Sequence, residues 1–524
     1  MSTAHSPWNP DLGNGRYKNP ILCADYSDPD IVRVGDDFYM VSSSFNHMPA
    51  LPILHSQDLV NWTLINHVFS RFDLPGYEQF QPGKGVWAPS IRYHAGKFWV
   101  FFSTPDEGIF MSQADDPKGE WSAPHCLKQA KGWIDPCPFW DDDGTAWLIH
   151  AFAFSRSGKK HLLQLCRMAE DGRALLDEGK IVVDGRATQP TIEGPKLYKR
   201  NGWYYIFAPA GGVPTGWQTV LRARSLNGPW QSRIVLHQGT TSVNGPHQGG
   251  WVELDNGESW FVHFQDRHAY GRVVHLQPMR WQDDWPLIGE QHNAQGLGQP
   301  VLEAAKPRVN ASVSMQQPLT SDDFSSAVLG RQWQWQWQAN PDKRWLAHTQ
   351  PGLKLFCQPM PTRAGEASWY DVPNLLMQKF PAEEFEATMN LTPVLEQVGD
   401  RCGLIIYGER FAFLGVEKSA EGLELVTGFG WMSDAQQLEQ HQKTLAVLPG
   451  QQSITLRVTV RQNAICQFAW LGNNGEYCTF DDSFAAGPGK WVGAKVGLYA
   501  LTTARGNSGS HAWVNNVNVT AIEQ

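Results

Sequence analysis

Five times along the chain a proline is followed by an apolar strand, a tight turn and an aromatic strand. The copies run from Asp28-Pro29 into 31–44, Ala88-Pro89 into 91–104, Asp135-Pro136 into 139–152, Gly194-Pro195 into 197–209 and Gly245-Pro246 into 251–264. Inside them lie Gly35-Asp36, Ala95-Gly96, Asp143-Gly144, Asn201-Gly202 and Asn256-Gly257, turn pairs in which glycine accepts the positive φ that a tight hairpin demands. A second strand pair is expected after each hairpin: 53–58 with 62–65, 109–113 with Trp121, 163–168 with 181–183, 220–225 with 230–234, and 273–277 ending near Trp285. Four strands per repeat, with the prolines at 29, 89, 136, 195 and 246, match the repeat length of propeller blades. The pattern predicts a five-bladed β-propeller.

From Gly289 to about Ser314 the pattern dissolves into Gln, Gly, Ala, Pro and Asn, as a linker does. Short alternating segments then resume at 353–357, 375–380, 385–391, 402–407, 411–416, 423–428, 454–460, 465–471 and 491–499. Strands at this spacing predict a β-sandwich. The fold class is therefore all-β, with a propeller over 1–314 and a sandwich over 315–524. Between Trp333 and Trp337 three indoles alternate with glutamine. Period two places them on one strand face, as for core packing.

Composition narrows the partners. With 524 residues, 42% of them apolar, two packed cores are expected. A net charge of −9 without any Lys/Arg cluster argues against nucleic acid or an anionic membrane. The 24 tryptophans suit both β-rich cores and the C–H faces of neutral sugars. Eight scattered cysteines without a C-x-x-C pair read as reduced thiols, and neither a leader-like apolar stretch nor a membrane span is visible. A cytoplasmic setting is the expectation.

The chemistry lies at the repeated phase. Asp28, Asp135 and Glu193 fall within two residues of a proline, and His247 directly follows the fifth proline. Equivalent positions of successive blades converge on the propeller axis, so these residues should share one pocket. A single Asp-Pro merely starts a turn. Three acids in register can instead supply a proton donor, a water-activating carboxylate and a third group that tunes the donor by like-charge repulsion, the set that glycosidic hydrolysis requires.

The segments Tyr26-Ser27-Asp28-Pro29-Asp30-Ile31-Val32-Arg33, Val86-Trp87-Ala88-Pro89, Ile134-Asp135-Pro136-Cys137-Pro138-Phe139, Ile192-Glu193-Gly194-Pro195 and Gly271-Arg272-Val273 resemble the signature blocks of glycoside hydrolase family 43. The resemblance extends from about Pro20 into the second region, there a concanavalin-like sandwich. It implies an inverting hydrolase with Asp28 as general base, Asp135 as pKa modulator and Glu193 as general acid. The substrate would be an oligosaccharide ending in β-D-xylose or α-L-arabinofuranose. It also implies that Arg272 contacts substrate and that His247 faces the axial channel, where it can help hold a calcium ion chiefly through water. Calcium prefers six to eight oxygens, so one histidine is a poor ligand set. Phe45 and Trp87 lie at blade mouths, where an aromatic ring stacks on the terminal sugar or packs into the core. No organic cofactor is implied; a homo-oligomer is compatible. Asp25 and Asp30 flank the base motif, and Asp28 is preferred because it shares the pre-proline phase of Asp135.

Two other readings compete. A retaining fructoside-type hydrolase would carry Asn-Asp-Pro, Arg-Asp-Pro and Glu-Cys blocks, where this chain has Ser27-Asp28-Pro29, Ile134-Asp135-Pro136 and Glu193-Gly194. A non-catalytic sugar-binding propeller would have no need of the acid trio.

Overall fold

The computed structural model describes residues 7–522 except 78–80, 337–340, 350, 364, 433–437, 451, 481 and 507–508. The five sequence repeats are five four-stranded antiparallel blades, each made of consecutive strands. Blade 1 comprises Asp30–Val34, Asp37–Val41, Ala50–Ser56 and Thr63–Phe69, and blade 2 Ser90–His94, Lys97–Thr104, Gly108–Ala114 and His125–Gln129. Blade 3 comprises Trp133–Trp140, Ala146–Phe152, Leu162–Met168 and Lys180–Asp184, and blade 4 Lys196–Arg200, Trp203–Ala210, Trp217–Ala223 and Gln231–Leu236. Blade 5 closes the series with His247–Glu253, Ser259–Asp266, Arg272–Gln282 and Trp285–Ile288. In blade 2 the outer strand starts at His125, so Trp121 precedes it instead of lying in it.

Each blade is sandwiched between two others, and its inner strands are apolar on both faces. In Lys97–Thr104, Phe98, Val100 and Phe102 pack with Tyr39, Val41 and Ile53 of blade 1, while Trp99 and Phe101 pack with Ala146 and Leu148 of blade 3. Comparable clusters join blades 3 and 4 around Ile149, Leu165 and Ile206, and blades 4 and 5 around Phe207, Val220 and Phe261. Blades 5 and 1 meet through Val252, Trp260, Ile31 and Met40. Burying such a side chain is worth about 1.5–3 kcal/mol, and five such interfaces account for much of the aromatic content.

Among the described residues no blade borrows a strand from the other end of the chain, and the ring is sealed by a strap. Arg16–Lys18 pairs with Glu303–Ala305, Leu22 bridges to Val274, and the Tyr17 hydroxyl donates to the Leu276 carbonyl at 2.8 Å. The expected linker thus carries a strand.

Two sheets build the sandwich. One runs in the order Gln334–Trp335, Leu376–Lys379, Lys495–Thr502, Arg401–Tyr407, Arg410–Lys418, Leu423–Met432, Leu438–Leu448. The other runs Leu346–His348, Leu353–Phe356, His511–Thr520, Phe385–Val394, Ile454–Arg461, Ile465–Leu471, Tyr477–Thr479. Trp333 and Trp335 are buried in their shared core, and Trp337 lies outside the described residues. Trp335 also exchanges backbone hydrogen bonds with Met48 of the propeller, at 2.6 and 3.2 Å. Among the described residues no helix is long and apolar enough to cross a membrane.

Candidate active site

The residue before the proline has left-handed φ in four of the five repeats: Asp28 (53°), Asp135 (56°), Gly194 (55°) and Gly245 (47°). The kink turns the chain sharply into the innermost strand. In blade 3 it is a bulge that displaces the ladder between Ile134 and Cys137. Non-glycine residues in this region carry strain of about 1–3 kcal/mol, least for Asp and Asn, and such strain gathers where a side chain must be aimed.

Asp28 is 5% exposed and held from three sides. Its Oδ2 accepts from the Ser43 hydroxyl at 2.6 Å and the Ser27 hydroxyl at 3.0 Å, and its Oδ1 accepts from the Arg272 guanidinium at 2.9 Å. The same Arg272 nitrogen donates to Ser27 Oγ at 2.9 Å. Arg272 is therefore not a surface ion-pair residue: its side chain is 8% exposed and joins blade 5 to blade 1. Breaking a buried pair of this kind costs about 3–5 kcal/mol, so Arg272 anchors the candidate base before it meets any ligand. Its Nε makes no hydrogen bond among the described residues and lies 3.7 Å from the Asp266 carboxylate.

Asp135 is buried and accepts the Gly194 N–H on Oδ2 at 2.8 Å, which ties blade 3 to the residue after Glu193. Burial pushes its carboxyl up to about 8; the charges of Glu193 and Asp28 add to the rise, and the Gly194 N–H and the Lys196 ammonium oppose it. Glu193 is partly exposed, and its Oε1 lies 2.8 Å from His247 Nε2. Asp30, by contrast, is engaged by blade 2, with Oδ2 accepting from Arg92 at 2.7 Å and from the Ile91 N–H at 2.9 Å.

The folded chain holds the Asp135 proton up to about pH 8, whereas an isolated aspartate releases it near 3.8. This group's contribution to stability therefore falls as pH rises through that window and levels off above it. Asp135→Asn should melt above the wild type, by a margin that widens between pH 5 and pH 8 in thermal denaturation. A margin independent of pH would remove the buried-proton interpretation.

At the rim, Phe45 is 3% exposed and packs edge-on against Trp87, centroids 6.3 Å apart, so it backs the rim without offering an open face. The open ring there had no counterpart in the sequence analysis. Trp491 of the sandwich is 42% exposed, lies 6.2 Å from Trp87, and has the Arg272 guanidinium 5.8 Å from its centroid. It does not begin a strand, as its segment suggested; the strand starts at Lys495, and Trp491 sits in the loop before it with φ 67°. The preceding Gly487-Pro488-Gly489 is a loop signal that marks this.

The sequence pattern described as glycosyl hydrolases family 43 matches residues 17–286, and that of the beta-xylosidase C-terminal concanavalin A-like domain matches 321–520. The chain belongs to glycoside hydrolase family 43. Among family 43 relatives, a putative beta-xylosidase of Xylanibacter ruminicola is 41% identical over 94% of this chain and 87% of its own. A non-reducing end alpha-L-arabinofuranosidase of Bacteroides ovatus is 31% identical over 62% of each chain. In fold, the chain is similar to the crystal structure of a xylan beta-1,4-xylosidase from Bacillus halodurans, with TM-score 0.83 at 23% identity over 96% of this chain and 99% of that one. It is a family 43 glycoside hydrolase with a five-bladed propeller and a C-terminal sandwich.

Proposed function

We propose that this family 43 enzyme removes single β-D-xylose or α-L-arabinofuranose units from the non-reducing ends of hemicellulose-derived oligosaccharides, with inversion. The observation that carries the reading is the convergence of Asp28, Asp135 and Glu193, from blades 1, 3 and 4, beneath a rim that the sandwich narrows with Trp491. Asp28, surrounded by three donors, takes the proton of the attacking water. Glu193, the most exposed acid of the trio, protonates the leaving oxygen. Asp135 holds the Gly194 peptide and shares charge with both. An inverting site spaces base and acid about 6.5–9.5 Å apart to admit the water, and no covalent intermediate forms. Trp491, exposed and edge-on to the half-buried Trp87, is the ring placed to meet a sugar, while Arg272 Nε is buried beside Asp266.

The residues around His247 do not make a calcium shell. His247 Nδ1 is buried, has no hydrogen-bond partner among the described residues and can hold a water. Among the described residues, however, no three His, Cys, Asp or Glu side chains gather as a metal site, and the axis nearby carries the Lys196 ammonium. One imidazole does not fit the oxygen-rich shell calcium prefers, and no step here runs through the ion. Eight unpaired thiols support a reducing, cytoplasmic setting in which imported short chains are the substrate.

Aryl β-D-xyloside and aryl α-L-arabinofuranoside, assayed side by side, test the sugar, and proton NMR of the first product tests stereochemistry. Digestion of xylo- or arabino-oligosaccharides should yield monosaccharide and the chain one unit shorter. Retained configuration would overturn the roles of Asp28 and Glu193, and early mid-length products would overturn exo-action.

A further inference from the structure

Asp25 lies three residues before the candidate base and does not point to the acid cluster. It is 3% exposed, with Oδ1 accepting the Arg272 N–H at 2.9 Å and Oδ2 accepting the Gly493 N–H of the sandwich at 2.9 Å. One carboxylate thus bridges the backbone of the arginine beside Asp28 and the backbone two residues after Trp491. The contact is close enough to exclude side chains. A Cβ on Gly271 would stand 2.5 Å from Asp25 Cγ, and one on Gly493 would stand 2.8 Å from the Gly271 nitrogen and from the Tyr270 carbonyl.

The two bonds are not equivalent in what they fix. Arg272 is already held by its ladder partner Asp266 and by its side-chain bonds to Asp28 and Ser27. Among the described residues the loop that bears Trp491 has no strand partner; its other backbone ties are Gly489 N–H to the Val492 carbonyl, Glu409 N–H to the Pro488 carbonyl and Ala494 N–H to the Ala269 carbonyl, and of these only the last reaches the propeller. Losing the Asp25 bond therefore falls mainly on the loop, and Trp491 is the side chain that moves with it. We propose that Asp25 is a positioning residue for substrate recognition: its carboxylate clasps the sandwich loop to the propeller and sets Trp491 against Arg272 and Trp87. The terminal-sugar pocket is thereby complete only when the two domains are docked in this register. This rests on the sugar pocket proposed above, and the substrate for its test is whichever aryl pentoside the wild type cleaves; cleavage of neither is a failure of that reading and not of the clasp.

The test is a double-mutant cycle on full-length protein. Asp25→Asn should raise KM by about tenfold with kcat little changed, the mark of lost binding that is equal in ground and transition states. Trp491→Ala should do the same, and the double variant should be no worse than Trp491→Ala alone, because Asp25 acts through that ring. Multiplying effects, or an unchanged KM in folded Asp25→Asn, would overturn the proposal. Asp25 is also the carboxylate facing the buried Lys379 and Lys495, so its removal strains both ammonium groups. If Asp25→Asn does not fold, the same cycle is run on a Lys495→Met background, which removes one of them.

Discussion

Glu193→Gln should lower kcat on xylo- or arabino-oligosaccharides by about 10²–10⁴, the range supplied by a positioned proton donor. The loss should nearly vanish on an aryl glycoside whose phenol leaves without protonation. Asp28→Asn should instead lose activity on both substrates alike, because the water must be activated whatever departs. That contrast separates the two roles, and the geometry supports it: Glu193 is the trio member open to the pocket and near His247 Nε2, while Asp28 is enclosed by Ser27, Ser43 and Arg272. A Glu193→Gln variant equally crippled on both leaving groups would exclude it as the acid.

Ending the chain at residue 314 should abolish activity and leave the propeller poorly soluble. The cut removes Trp491 from the rim and the Gly493 N–H from Asp25. It also removes Trp335, which pairs with Met48, three residues from Phe45. On the blade 5 side the Tyr270 hydroxyl loses the Ala464 N–H, and Arg267 loses its ion pair with Glu383. The exposed face would include Tyr270, which belongs to the apolar core that the sandwich continues. Expression of the fragment with an assay of its soluble fraction decides this; a soluble, fully active fragment would mean that the domains work independently.

The blades were legible because each repeat couples a proline kink to a glycine turn, signals that are local in sequence. The acids were legible for the same reason: the kink that aims Asp28 and Asp135 is written as Asp-Pro. The polar edge strand Leu438–Leu448 was missed. It reads Leu-Glu-Gln-His-Gln-Lys-Thr-Leu and is exposed through most of its length, so it carries no alternation to detect. The clasp at Asp25 and the rim position of Trp491 were also hidden, since both depend on how two domains dock and no local pattern encodes a pairing between residues 25 and 493. For Phe45 two readings stood open for a related reason: an aromatic at a blade mouth can face the sugar or support the ring that does, and only packing against Trp87 distinguishes them.

The strap has a consequence for how the molecule is made. During synthesis the blades emerge in order at about 5–20 residues per second, but the arc stays open until blade 5 leaves the ribosome and packs on blade 1, and the pairing of Glu303–Ala305 with Arg16–Lys18 follows. Asp28 and Arg272 sit on the two sides of that seam. Nascent chains that already contain all three acids are therefore still without the arginine that orders the first of them, and the sandwich loop follows more than 180 residues after the strap. Hydrolytic competence waits for that loop.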